Sequence, residues 1–182
     1  RARLKEKKAK ATFYVMGVKV GLHPDIVQRA VLEGHEIGNH VYDHPVLTKI
    51  KPKELEHQIQ ATTEAIKSAT GIAPKTLRPP YGNTNRKVND MISNKFNYDV
   101  IFWSFDIIDW KFPKKSEILS RSKKHIDNGA IVLAHDVHTN TIDSMSALID
   151  QLHNDNFKLI TVSELIEKMH PYAISKRKRK YK

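Results

Sequence analysis

The chain has 182 residues, with 31 Lys and Arg against 20 Asp and Glu, which gives a formal net charge of +11. This length is typical of one domain that buries its own core. There is no cysteine, which excludes disulfides and thiolate metal sites, so any metal must be bound by His, Asp, Glu or water. The sequence shows no apolar run long enough to span a bilayer and no signal peptide.

The first half of the chain alternates short apolar runs with amphipathic segments. KATFYVMG, residues 10–17, is rich in aromatic and β-branched residues and predicts a buried strand. A helix follows over 23–34, with Pro24 near its start and Gly34 just past its end. We then expect a short strand, a long helix closed by a glycine and an extended proline-rich segment, at 35–40, 51–71 and 75–80.

The second half continues the same alternation. The pattern predicts helices at 85–95, 116–129, 141–155 and 163–169, and strands at 98–104, 129–136 and 157–162. We expect the helix at 116–129 to have a serine cap and a glycine stop, and SELIE at 163–167 fits a capping box. Strands that alternate with helices predict a mostly parallel sheet, either open or closed as a barrel. Function then gathers where the strands end.

Two histidines follow the second predicted strand in GNHVYDHP, residues 38–45. His40 and His44 can be exposed or structural side chains, or they can be two ligands of one metal ion, since residues four apart can face one point. Imidazole suits zinc, with cobalt or nickel as substitutes, and a third ligand, a carboxylate, should then exist. We expect Asp43, between them, to face away and brace the loop.

The segment RPPYG, residues 78–82, is a rigid turn after the third predicted strand. It can be a simple exit turn. Its functional interpretation makes Arg78 a fixed cation and a backbone N–H near Tyr81 a donor to an oxyanion.

Two later segments complete the candidates. In SFDIIDW, Asp106 and Asp109 precede Trp110, which can pack in a core or form a wall for a sugar ring. In LAHD, His135 can be a hydrogen-bonded rim residue or a general acid, and Asp109 can orient it.

The order of these motifs is more specific than each motif alone. GHEIGNHVYDHP, RPPYG, DIIDW and IVLAHD together resemble the polysaccharide deacetylases of carbohydrate esterase family 4, the NodB homology domain, and in particular the peptidoglycan N-acetylglucosamine deacetylases. The resemblance runs from about residue 9 to 169. It implies an α/β fold of the irregular (β/α) barrel type, with a deacetylase domain at 1–170 and a basic tail at 171–182.

The resemblance implies metal-dependent removal of acetyl groups from a glycan such as peptidoglycan or chitin, in the cell envelope or outside the cell. Carried over by motif, it implies that His40 and His44 are metal ligands, that Arg78 pairs with the catalytic base and that the Tyr81 amide donates to the oxyanion. It also implies that Trp110 and Leu133 are walls of the acetyl pocket, that His135 is the general acid and that Asp109 is the carboxylate that tunes it.

Two departures from the family pattern matter. Val41 stands where the family usually has Ser or Thr, so we expect weaker metal retention because a bracing hydroxyl is absent. The family's opening Asp-Asp motif supplies the catalytic base and the third metal ligand, yet no Asp precedes Asp25. We therefore expect the first strand of the fold to be missing from this chain.

Three explanations of this gap stay open. The strand can belong to a separate N-terminal fragment of the same protein, which would then be a partner, or the chain can be truncated. The third explanation is a degenerate homologue that binds glycan without cleaving it. The other motifs are intact, which favours the first two.

The last seven residues, KRKRKYK, include six basic side chains. Such a run is usually a solvated tail, and its functional interpretation is attraction to a polyanion. An anionic cell wall fits the resemblance. We expect no nucleic-acid partner because aromatic and basic residues are not interleaved.

Overall fold

A computed structural model describes residues 2–111, 113–136 and 139–169. They divide into two compact units, of which one is Ala11–Phe102 and the other contains the remaining described residues. The helices with defined bounds are α1 Ala2–Glu6, α2 Gly17–Leu22, α3 Pro24–Leu32, α4 Pro52–Thr70, α5 Arg86–Phe96, α6 Lys115–His125 and α7 Thr139–Asn154. The strands are β1 Thr12–Val15, β2 Glu36–Asn39, β3 Thr76–Leu77, β4 Asp99–Val100, β5 Phe105–Asp106 and β6 Val132–Leu133. Residues 162–169 are also helical, and no described helix is long and apolar enough to cross a membrane.

The unit Ala11–Phe102 is built on a four-stranded parallel sheet in the order β1-β2-β3-β4. Its two faces differ because side chains alternate along each strand. Phe13, Val15 and Ile37 pack into an apolar cluster with residues of α3 and α4. On the opposite face, the hydroxyls of Thr12 and Thr76 donate to the Glu36 carboxylate at 2.8 and 3.3 Å. Parallel sheets are usually apolar on both faces, so the polar face suggests a functional surface.

Helix α4 shows why the predicted long helix forms. Pro52 occupies its first turn, where a missing N–H costs nothing. Leu55, Ile59 and Ile66 form its buried stripe. Gly71 ends it in the left-handed conformation, with φ 73°. The sequence prediction of this helix and its glycine stop is confirmed.

The second unit contains a two-stranded parallel sheet in which β5 pairs with β6. Its apolar cluster combines Phe105 and Ile107 near β5 with buried residues of α6 and α7, among them Ile118, Leu148 and Leu152. This unit therefore has a core of its own. The alternation of helices with parallel strands confirms the α/β class.

Several strands are shorter than the sequence predicts. The apolar run at 129–136 forms a ladder only over Val132–Leu133, and the run at 98–104 only over Asp99–Val100. The predicted strand at 157–162 is wrong, since residues 157–161 have no regular structure and residue 162 begins a helix. An apolar run predicts burial, whereas a strand also needs a neighbour in register.

Two helix starts also differ from the prediction. Helix α6 begins at Lys115 rather than after a Ser116 cap, because the Glu117 carboxylate accepts the Lys114 N–H at 2.9 Å. The capping box of the last helix is formed by Thr161 and Glu164, whose side chains accept each other's backbone N–H at 3.2 and 3.0 Å.

Helix α2 was not predicted, because its glycines are poor helix formers. Tertiary packing explains it. A Cβ at Gly17 would lie 2.6 Å from the Tyr42 ring and 2.7 Å from the Thr62 hydroxyl, so only glycine allows this close approach.

Candidate active-site residues of the two units

The loop that carries the two predicted metal histidines is fixed by a buried asparagine at the end of β2. The Asn39 amide donates to the Ile59 carbonyl at 3.0 Å and to the Thr63 hydroxyl at 3.2 Å, while its oxygen accepts the Val41 N–H at 2.8 Å. These bonds tie the residues on both sides of His40 to α4. A buried amide whose donors and acceptor are used in this way rigidifies its surroundings.

A buried glutamine of α4 forms the second brace. The Gln58 carbonyl accepts the N–H groups of Tyr42 and Asp43 at 2.9 and 3.2 Å, and its amide donates to the Asp43 carboxylate at 2.8 Å. Asp43 therefore braces the loop, as predicted from the sequence. The loop shape is set by α4 and not by the histidines themselves.

The same loop contains two left-handed residues that are not glycine. Val41 has φ 57° and His44 has φ 71°. For a β-branched residue such as Val41 this conformation is unusual, and it costs on the order of 1–3 kcal/mol. The surrounding hydrogen bonds hold it in place. As a result, the rings of His40 and His44 lie 4.8 Å apart between centroids, at 70° to each other.

The tautomer of His40 follows from its hydrogen bond. Its Nδ1 lies 2.7 Å from the Arg78 carbonyl oxygen. A carbonyl only accepts, so Nδ1 carries the proton and the neutral ring has its lone pair on Nε2. Metal-binding histidines are oriented by the same type of bond. The pair thus fits two ligands of a cation that prefers imidazole, although no group of three His, Asp or Glu able to hold a metal occurs among the described residues.

The predicted oxyanion turn follows β3. Tyr81 has φ 59° within the short 3₁₀ turn Pro80–Gly82. The N–H groups of the two residues after Tyr81 donate back to the carbonyls of Pro79 and Pro80, at 3.1 and 2.9 Å. The Tyr81 N–H takes no part in these two bonds. The Tyr81 residue is 68% exposed, and its ring lies edge-on to His44, with 4.6 Å between centroids.

Arg78 is buried at the end of β3. Its Cζ lies 4.3 Å from the centroid of the Tyr14 ring, and its Nη2 donates to the Phe102 carbonyl at 3.3 Å. Burial lowers the pKa of Arg78 from its usual value, while the Tyr14 hydroxyl acts in the opposite direction. A guanidinium keeps its charge in proteins, so this face of the sheet contains a fixed cation.

In the second unit, Asp109 and His135 form a direct pair. One carboxylate oxygen of Asp109 accepts from His135 Nδ1 at 2.7 Å. The other accepts the His135 N–H at 2.6 Å and the Thr141 hydroxyl at 2.8 Å. The Asp109 residue is 1% exposed, whereas the His135 side chain is 44% exposed. A buried carboxylate therefore holds an accessible imidazole.

The protonation of Asp109 follows from these contacts. Burial alone would raise the pKa of its carboxyl, but the hydrogen bonds from His135 and Thr141 outweigh it and lower the pKa below the usual value. Asp109 is thus ionised at neutral pH. Nδ1 of His135 must then be the donor, and Nε2 is the nitrogen that can exchange a proton with a bound molecule.

The loop before Asp109 is shaped by its own hydrogen bonds. The Asp106 carboxylate accepts the Ile108 N–H at 2.7 Å, and Ile108 has φ 55°. The Arg121 guanidinium donates to the carbonyls of Asp106 and Ile107 at 2.9 and 3.1 Å. Asp106 is therefore a turn-forming residue.

The two residues predicted as walls of the acetyl pocket differ in exposure. Trp110 is 50% exposed, and the Lys111 ammonium lies 4.8 Å from its ring. Leu133 is buried and pairs with Asp106 in the sheet.

Each unit thus groups its own candidates at the carboxyl ends of its strands. The first unit brings together His40, His44, Arg78 and Tyr81, and the second brings together Asp109 and His135. Sequence reasoning missed the residues that support them, namely Tyr14, Asn39, Gln58 and Thr141. A polar Asn39 beside the apolar positions of β2 was a usable signal, whereas Thr141 lies in an ordinary polar helix sequence.

Comparison with known proteins agrees with the resemblance. The family model described as polysaccharide deacetylase matches residues 2–101. The peptidoglycan-N-acetylglucosamine deacetylase PgdA of Listeria monocytogenes is 38% identical over 162 residues, which are 89% of this chain and 34% of PgdA. The peptidoglycan-N-acetylmuramic acid deacetylase PdaC of Bacillus subtilis is 36% identical over 90% of this chain and 34% of PdaC. The chain thus spans about a third of the length of these curated relatives.

Solved structures show the same fold. The structure of PdaC from Bacillus subtilis matches with a TM-score of 0.88 at 32% identity and covers 100% of this chain and 88% of that one. A carbohydrate esterase family 4 pseudoenzyme from Bacillus anthracis, BA3943, matches with a TM-score of 0.85 at 32% identity over 91% of this chain and 58% of that one. The polysaccharide deacetylase fold expected from the motifs is therefore confirmed.

Proposed function

Because the chain belongs to the polysaccharide deacetylase family, we propose that it hydrolyses acetyl groups on a glycan, and that this glycan is peptidoglycan. The names of PgdA and PdaC support the substrate class. The observation that carries the reaction type is the Asp109–His135 pair, in which a buried, ionised carboxylate orients an accessible imidazole. This arrangement is typical of a general acid whose protonated form is stabilised by a neighbouring charge.

The two histidines of the first unit are proposed to hold a divalent cation. The Nδ1–H bond of His40 to Arg78 supports this role because it presents Nε2 as the ligand atom. Zinc is the cation we propose, with cobalt or nickel as substitutes, since imidazole suits all three. A cation bound there would polarise the acetyl carbonyl and lower the pKa of a water molecule. The third ligand and the catalytic base are proposed to come from the Asp-Asp motif of the family.

The chemical step can be written for an N-acetylglucosamine residue. The catalytic base takes a proton from a water molecule as the water oxygen bonds to the acetyl carbon. The carbon–nitrogen bond then breaks, acetic acid leaves and ionises to acetate, and the sugar nitrogen takes a proton. His135 supplies this proton from Nε2, and the Asp109 carboxylate stabilises the imidazolium before transfer. The Tyr81 N–H is proposed to donate to the oxyanion that forms meanwhile. Trp110 and Leu133 are proposed to contact the acetyl group.

The place of action follows from the substrate. Peptidoglycan lies in the cell envelope, so we propose an extracellular or envelope location.

Acetate release tests the proposed activity. The protein that carries this chain is incubated with peptidoglycan and with an acetylated chito-oligosaccharide, each with added zinc or cobalt. We expect acetate release that falls at least about 100-fold in His135→Ala. His125→Ala is the matched control, because it removes an exposed histidine of the same unit. Equal loss in both variants, or no release by the parent protein, would contradict the proposal.

A second candidate function is glycan binding without cleavage. The similarity to BA3943, which is described as a pseudoenzyme, favours it. Sedimentation of the protein with insoluble peptidoglycan, without any acetate release under zinc or cobalt, would support this function over the first.

A further inference from the structure

The polar face of the four-stranded sheet contains a tyrosine to which the motifs assign no role. Tyr14 of β1 lies opposite Gly38 of β2 in the parallel ladder. A Cβ placed on Gly38 would lie 2.4 and 2.5 Å from two atoms of the Tyr14 ring. Only a residue without a side chain therefore allows the ring to lie where it does. Gly38 is not in the left-handed region, so space, and not backbone conformation, requires glycine here.

The same ring contacts the buried cation of the candidate site. The Arg78 Cζ lies 4.3 Å from the ring centroid, within the range of a cation–π interaction. Arg78 is buried, and burial raises the pKa of the Tyr14 hydroxyl to about 12. A cation–π interaction is stronger when both groups are removed from water. The aromatic face is thus a contact of the guanidinium, alongside the Phe102 carbonyl.

The backbone of Arg78 is also hydrogen-bonded to the segment that carries His40. Its N–H donates to the Asn39 carbonyl at 3.0 Å, and its carbonyl accepts from His40 Nδ1 at 2.7 Å. The residue whose side chain rests on Tyr14 therefore also fixes the tautomer of His40. A displaced guanidinium would pull on the backbone that orients this imidazole.

We propose that Tyr14 is a positioning residue: its aromatic face, and not its hydroxyl, holds the Arg78 guanidinium in place, and Gly38 supplies the room for that face. Its effect on catalysis rests on the proposed deacetylase function. The placement of Arg78 does not depend on that function, so the two can be tested separately.

The first test compares three variants of the protein that carries this chain. Tyr14→Phe keeps the aromatic face, Tyr14→Leu removes it, and Phe13→Leu is the matched control. Phe13 is the neighbouring aromatic of β1 and packs into the apolar cluster on the other face. Acetate release is measured over a range of substrate concentrations, and the thermal unfolding midpoint of each variant is recorded.

We expect Tyr14→Leu to lower kcat/KM by about 3- to 30-fold, the range that corresponds to a cation–π contact. Tyr14→Phe should restore activity to within about twofold of the parent protein. Phe13→Leu should lower the unfolding midpoint without this loss of rate. A Tyr14→Leu rate within twofold of the parent, or an equal rate loss in Phe13→Leu, would overturn the proposal.

The second test needs no activity. The side-chain N–H signal of Arg78 is assigned by NMR from its loss in Arg78→Lys. The ring current of Tyr14 should shift this signal upfield in the parent protein and in Tyr14→Phe, but not in Tyr14→Leu. Gly38→Ala, which pushes the ring aside while keeping it in the chain, should also move the signal, and it replaces Tyr14→Leu if that variant does not fold.

An Arg78 signal that is the same in all variants would refute the positioning role. A parent protein that shows the shifted signal but releases no acetate would refute the proposed function and leave the positioning role intact.

Discussion

At the residue scale, both histidine arrangements depend on which ring nitrogen carries the proton. The Nδ1–H of His40 donates a hydrogen bond to a backbone carbonyl, and the Nδ1–H of His135 donates one to a buried carboxylate. The partners differ in charge, and the difference suits different chemistry. A backbone carbonyl orients a histidine in the manner known for metal ligands, whereas a buried carboxylate orients one in the manner known for acid–base catalysis.

The first prediction concerns that carboxylate. Asp109→Asn keeps the shape of the side chain but removes the charge that stabilises the His135 imidazolium. We expect acetate release to fall by about 100-fold or more. Thr141→Val removes one neutral bond to the same carboxylate and should cost much less. Similar losses in the two variants would show that packing around Asp109, and not its charge, limits the rate.

The second prediction concerns alkaline pH. Burial raises the pKa of Tyr14 to about 12 in the folded chain, against about 10 for an exposed tyrosine. A pKa raised on folding means that the contribution of Tyr14 to stability is complete below pH 10 and is lost as the pH rises towards 12. Urea unfolding between pH 9 and 12 should therefore show a steeper loss of stability in the parent protein than in Tyr14→Phe. Parallel curves would contradict the buried placement of this hydroxyl.

At the element scale, the sequence predicted which segments are helices far better than how long the strands are. Helix α4 and its stop at Gly71 follow from local chemistry, since a proline start, an apolar stripe and a glycine end act within the segment itself. The run at 129–136 failed as a long strand because the ladder ends where the partner β5 ends, after two residues. No local pattern contains that information.

In the candidate site, too, only part of the arrangement could be predicted from the sequence. The candidate side chains could be proposed from the sequence because their motifs occur in a fixed order. The residues that support these side chains could not be predicted, because Gln58 and Thr141 reach their partners from helices distant in sequence. The left-handed Val41 was seen only as a departure from the family, and its strain is visible only in the structure.

The third prediction tests the brace that α4 provides. Gln58→Ala leaves the N–H groups of Tyr42 and Asp43 without their acceptor. We expect a loss of about 1–3 kcal/mol in unfolding free energy and a roughly 10- to 100-fold loss of metal affinity, as for other groups that orient metal ligands. Zinc titration by calorimetry and urea unfolding measure the two effects. Gln60→Ala, on the exposed side of the same helix, is the control and should change neither.

At the scale of the whole molecule, the chain carries a strong positive charge whatever the details of its site. The net charge of +11 attracts polyanions over distances of about one Debye length. For an enzyme proposed to act on peptidoglycan, this attraction concerns delivery to the wall and not the chemical step. The two effects can therefore be separated by salt.

The last prediction removes the charged end of the chain. Deletion of residues 176–182 takes away six of the basic side chains, none of which the motifs assign to the reaction. We expect the truncated protein to bind anionic cell-wall fragments more weakly at low salt, with a smaller dependence of binding on ionic strength, because fewer counterions are exchanged. Acetate release from a small neutral chito-oligosaccharide should stay the same, since such a substrate has no charge for the tail to attract. Sedimentation with cell-wall fragments at several salt concentrations measures the first effect. If the deletion instead lowered the rate on the neutral oligosaccharide, the tail would have to contribute to folding or to the site itself.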